Sequence, residues 1–79
     1  MLQFRRKSKI NEKVRIGAAT PLQQYIFRLP KLQNWVTPIA VISEVKTYSF
    51  GGKARRASNS DVHRALEQLV NMGVLDKKK

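Results

Sequence analysis

The apolar positions of this chain fall into three stripes at helical spacing, separated by breakers. In "TPLQQYIFRLPKL", Leu22, Tyr25, Ile26 and Leu29 recur at i, i+3, i+4 and i+7, one face of a helix. Thr20 offers an N-cap oxygen, Pro21 fits the first helical position, and Gln23 completes a T-x-x-Q capping box. Pro30 lacks an amide hydrogen and restricts Leu29, so this helix is expected to end there. "TPIAVISEVKTY" repeats the same start at Thr37 and Pro38, with Ile39, Ile42 and Val45 as its stripe and Val41 and Tyr48 beside it. Its β-branched residues favour a strand, but the Thr-Pro start decides for a helix. The third stripe is the fullest: Val62, Ala65, Leu66, Leu69 and Val70. Ser58 and Asp61 form a capping box at its start, and Gly73 is placed for a left-handed stop, so a helix is predicted over 58–72.

The segments between the stripes are shorter and more polar. "RRKSK" has no periodicity, and residues 1–19 read as a mobile basic arm ahead of a domain over 20–79. Within the arm, "EKVRI" alternates apolar and polar and fits a short strand at Val14–Ile16. "NWV" fits another small strand, "SFGGKARRA" over 49–57 a loop, and Val74-Leu75 the start of a last strand.

Composition narrows what such a chain does. At 79 residues it is one domain, burying about 60–65% of its unfolded surface. With no cysteine, disulfides, thiolate metal sites and cysteine nucleophiles are excluded, and one histidine makes no zinc site unaided. No apolar run approaches the roughly 18–20 residues of a membrane span, and the basic N-terminus lacks the apolar core of a signal peptide. An intracellular protein, cytoplasmic or nuclear, is expected. The five acids, Glu12, Glu44, Asp61, Glu67 and Asp76, are scattered, and no phosphate-cradling glycine loop occurs. No enzyme, metal or cofactor is therefore expected.

Charge carries the strongest signal. Sixteen Lys and Arg give a net +11, which points to a polyanionic partner. It is uneven: residues 1–19 hold six basic and one acidic side chain, and residues 49–57 hold three basic and none acidic.

The order helix, short strand, helix, helix, strand resembles a winged helix-turn-helix domain. The residues that carry the resemblance are "NWVTPIAVISEV" and "DVHRALEQLVNMGVLDKKK". It implies a mainly α fold with a small β component: three helices and a truncated or borrowed wing. Two features depart from the pattern. The connection over 49–57 is longer than the turn of a compact helix-turn-helix, and no strand follows Val74-Leu75 to pair with it. Three partners would cover that edge: the arm near Val14–Ile16, "NWV", or a second subunit, which implies a homodimer. In outline, "YSFGGKARRASNSDVHRALEQL" is also similar to basic winged-helix ribosomal proteins.

The resemblance makes 58–72 the recognition helix, and its outward residues Asn59, Ser60, His63 and Arg64 the base-reading candidates. Lys53, Arg55 and Arg56 of the loop, and Arg5, Arg6, Lys7 and Lys9 of the arm, are the candidate phosphate contacts. Glu67 opposes phosphate, and Trp35 is expected to pack in the core. The function expected is duplex DNA binding, as a transcriptional regulator or a replication or recombination accessory factor. The alternatives are an RNA- or ribosome-bound protein of the same fold and a protein-interaction module of a nucleoprotein complex.

Overall fold

The structure, a computed structural model, describes residues 1–10, 17 and 19–79, with the side chain of Phe50 outside the description. The strand expected at Val14–Ile16 lies outside the described residues. Along the chain run β1 (Gln3–Arg6), α1 (Pro21–Phe27), a 3-10 turn (Pro30–Gln33), α2 (Pro38–Glu44), β2 (Thr47–Phe50), β3 (Lys53–Arg56), α3 (Asn59–Asn71) and β4 (Leu75–Lys78).

The helix starts follow from their caps. The Thr20 hydroxyl accepts from the Gln23 amide at 3.3 Å, and the Gln23 side chain accepts from the Thr20 amide at 3.2 Å. Ser58 and Asp61 make the equivalent reciprocal pair at α3, at 3.1 and 3.2 Å. At α2, Thr37 caps the Ala40 amide and Pro38 opens the helix. Gly73, with φ at 84°, stops α3 in the left-handed region that glycine adopts without a Cβ clash.

The expected mainly α class is not the one that forms, although a winged helix stays compatible. Among the described residues, three α-helices stand with four strands in two separate two-stranded sheets, a small α/β fold. Two segments account for the difference. The expected loop over 49–57 is largely a hairpin: β2 pairs antiparallel with β3, Thr47 opposite Arg56 and Phe50 opposite Lys53. Gly51 and Gly52 both have positive φ, 63° and 79°, as the tight two-residue hairpin turn demands at both central positions. The second segment is the wing, expected to be truncated or borrowed, whose strand takes its partner from the start of the chain. Strand β4 pairs antiparallel with β1, Gln3 opposite Lys78 and Arg6 opposite Leu75. Val36 of "NWV" bridges Phe4 on the other side of β1, through backbone bonds of 2.8 and 2.9 Å. The start of the basic arm thus supplies the strand that pairs with β4.

Twelve apolar side chains close the core: Phe4, Ile26, Leu29, Leu32, Val41, Val45, Val62, Ala65, Leu66, Leu69, Val74 and Leu75. The α3 stripe is as expected apart from Val70, which is half-buried. That of α2 is rotated: Val41 and Val45 are buried, while Ile39 is 75% exposed and Tyr48 has left the helix for β2, where it packs on Tyr25. In α1, Gln23 is buried among the apolar residues. Its amide donates to the Gln68 side chain of α3, so no polar atom there is left unpaired.

Candidate nucleic-acid interface

The hairpin and the first turns of α3 are continuous in the chain, joined through Ala57 and Ser58. Side chains alternate across a strand, and residues opposite each other in the ladder share a face. Arg55 therefore stands on the face of Tyr48, together with Lys53, and Arg56 stands on the face of Thr47. All of β3 is exposed. The three adjacent cations of the sequence are thus divided between the two faces of one ribbon. Lys46, whose carbonyl accepts from the Ala57 amide, adds a further exposed cation at the hairpin's base.

On α3, Asn59, Ser60, His63 and Arg64 are all exposed. Asn59 and His63 lie one turn apart in one row, Ser60 and Arg64 in the next. His63 borders an open apolar groove of about 530 Å³ lined by Met1, Leu2, Thr37, Pro38 and Ile39. Arg64 lies on the outward side. Asp61 is the one acid on these turns. The Ser58 amide, then the Ser58 hydroxyl and more weakly Arg64, hold its carboxyl below the usual aspartate value. Glu67, the residue expected to oppose phosphate, is bridged by Lys77 of β4 at 3.0 Å.

The acids of the described residues are each engaged: Glu44 with Lys31, Glu67 with Lys77, Asp76 with Arg5 and Lys7, and Asp61 in its cap. None of the ion pairs among the described residues involves Lys46, Lys53, Arg55, Arg56 or Arg64. Five exposed cations therefore gather on the hairpin and the start of α3.

The arm candidates are dispersed by β1. Phe4 points into the core, at 1% exposure. Arg6 lies on the same side of the strand and turns under α1. Its guanidinium donates to the Phe27 carbonyl at 2.9 and 2.6 Å and to the Leu29 carbonyl at 2.7 Å, and it lies 5.2 Å from the Phe27 ring. These carbonyls close the C-terminal end of the helix, where a cation is favoured. Arg6, expected on phosphate, is thus committed to an internal contact. Arg5 projects from the opposite face, where its guanidinium carbon is 4.5 Å from the Trp35 ring centroid. Lys7 is half-exposed and Lys9 exposed.

Lys78, which is not among the candidates drawn from the sequence, also reaches Trp35, its ammonium 4.4 Å from the ring centroid. Trp35 is half-buried, a support for two cations rather than a core residue. The available signal was the alternation of "LQF" and "LDKK", two segments 70 residues apart that carry no pairing information in either alone. Lys46 was also missed, because the strand that places it was read as the end of a helix.

Among the described residues, no group of three or more His, Asp and Glu is arranged to hold a metal, and no helix is long and apolar enough to cross a membrane. No protein-family model, curated protein or solved structure matches the chain.

Proposed function

We propose that this protein binds nucleic acid, with the β2–β3 hairpin and the first turns of α3 as its principal contact. The observation that carries the reading is the gathering of Lys46, Lys53, Arg55, Arg56 and Arg64 on exposed, contiguous elements, with none of them in an ion pair among the described residues and Asp61, the acid on the first turn of α3, spent on its cap. A polyanion neutralises such a cluster and releases its own counterions. Duplex DNA is the preferred partner. A B-form major groove admits either a helix or a two-stranded ribbon, and Asn59, Ser60, His63 and Arg64 carry donors and acceptors suited to base edges. The protein is read as a binding factor of transcription, replication or recombination inside the cell, not as an enzyme.

Folded RNA is the second reading. It is favoured by the division of Arg55 and Arg56 between two faces of the ribbon, which suits a backbone that passes on both sides.

The test is competition for a labelled random duplex at about 150 mM salt, read by fluorescence anisotropy. Duplex competitors are expected to displace it better than single-stranded DNA or structured RNA, and His63→Ala with Arg64→Ala to weaken binding. Stronger competition by RNA, with indifference to those two changes, turns the assignment to RNA. No binding to any of the three rejects the proposal.

A further inference from the structure

The outer face of the β1–β4 sheet holds cations that the hairpin site does not use. Residues opposite each other in the ladder share a face, so Gln3 and Lys78, and Arg5 and Asp76, all stand outward. Trp35 borders them, with the Arg5 guanidinium and the Lys78 ammonium both within 4.5 Å of its ring centroid. Each cation is attracted to the negative face of the ring. Among the described residues, the carboxylate that the ladder places on this face is that of Asp76. It contacts Arg5 at 3.8 Å through one oxygen and Lys7 at 3.9 Å through the other. These are long ion pairs between half-exposed groups, each near the outer limit of contact and worth little in water. Beside them opens a cleft of about 350 Å³ lined by Arg5, Arg6, Lys7, Ser8 and Gln33.

Two outward cations, Arg5 and Lys7, therefore share one loosely held carboxylate beside an open polar cleft, and a third, Lys78, stands on the same face against Trp35. A phosphodiester oxygen suits the position that Asp76 half fills, since Arg accepts phosphate in a bidentate fork and Lys as a point charge. The Trp35 ring holds Arg5 and Lys78 over the face in advance, which lowers the ordering cost of binding.

We infer that this face is a second contact for the nucleic-acid backbone, in which Arg5, Lys7 and Lys78 take phosphates and Asp76 is the internal anion that Arg5 and Lys7 exchange for it. The inference rests on the nucleic-acid reading above and adds a surface to it. Trp35 is the single tryptophan of the chain, so its emission reports on this face alone.

The experiment titrates the full chain with an unlabelled duplex, reading Trp35 emission, alongside the anisotropy of a labelled copy. The emission is expected to change with the same midpoint as the anisotropy. Lys7→Gln with Lys78→Gln, both exposed or half-exposed and so harmless to the core, is expected to lower the steepness of log affinity against log salt by about 2. Asp76→Asn is expected to tighten binding severalfold, an effect opposite in sign to that of a stabilising ion pair. Binding by anisotropy with unchanged emission, and with affinity indifferent to the Lys7 and Lys78 changes, overturns the second face and leaves the hairpin site standing. An emission change with inorganic phosphate but none with the duplex overturns it as well, and assigns a small-anion site. Absence of any anisotropy change removes both proposals together.

Discussion

Single side chains here do work that their type does not announce. Arg6 belongs by charge with Arg5 and Lys7, yet its three hydrogen bonds tie β1 to the end of α1. A charged donor on partly buried carbonyls is worth about 1.5–3 kcal/mol. Arg6→Ala is therefore expected to lower stability by about that amount in urea unfolding, while Lys9→Ala, at an exposed position, leaves the midpoint unchanged. Asp61 makes a prediction in pH. Its carboxyl lies below the ordinary value near 3.9 because the Ser58 amide, the Ser58 hydroxyl and Arg64 favour the charged form. A depressed value in the folded state means that Asp61 contributes stability above the unfolded value and loses it as pH falls through the folded one. The difference in Tm between the native chain and Asp61→Ala should thus be full at pH 6–7, shrink below about pH 4 and vanish at still lower pH. A difference independent of pH would show that the cap acts without its charge.

Among the elements, β1 and the hairpin carry the consequences. A basic arm free of the domain would be dispensable for folding. Instead Phe4 is fully enclosed and β1 is bonded on both edges, to β4 and to Val36. Phe4→Ala is expected to cost about 3–5 kcal/mol, a large part of the roughly 5–15 kcal/mol that holds a domain together. Circular dichroism melts check this, and an unchanged Tm would restore the mobile arm. The hairpin behaves in the opposite way. Its strand β3 is wholly exposed, so replacing its cations should spare the fold and change only binding. Neutralising Lys53, Arg55 and Arg56 together is expected to reduce the salt dependence of duplex affinity by about 3 in slope and to leave the melting curve within a degree or two.

At the scale of the whole molecule, charge and a small core pull against each other. A net +11 on 79 residues is self-repulsive, and the acids are placed to relieve it locally, Asp76 beside β1, Glu67 beside β4 and Glu44 beside the 3-10 turn. Between six and nine phosphate contacts give log affinity a slope of about −5 to −8 against log salt. A slope shallower than about −3 would show that most of this charge never meets the polyanion. Under the proposed function, added polyanion should also raise Tm, because a ligand of the folded chain stabilises it by mass action.

The helix starts were legible in the sequence because a cap is a local device. Thr20 with Gln23, Thr37 with Pro38, and Ser58 with Asp61 satisfy amides three residues away, and nothing distant is needed to place them. The core face of α3, the Gly73 stop and the exposure of Asn59, Ser60, His63 and Arg64 were legible for the same reason, since a strong helical period fixes which side faces in. The hairpin was half legible: Gly51-Gly52 marked a turn and "TYSF" before it alternates polar and apolar, but Tyr48 also falls beside the stripe of "TPIAVISEVKTY", and the wholly exposed "KARR" carries no apolar alternation. What the tertiary structure alone decided is the pairing of β1 with β4. Strands four residues long carry too little pattern to name a partner, and the two ends of the chain meet only when Phe4 and Leu75 are buried together in the core. That meeting turned a basic arm into a central strand and sent Arg6 inward. It also set Arg5 and Lys78 over Trp35, because the side a strand residue faces is fixed by its register and not by its charge.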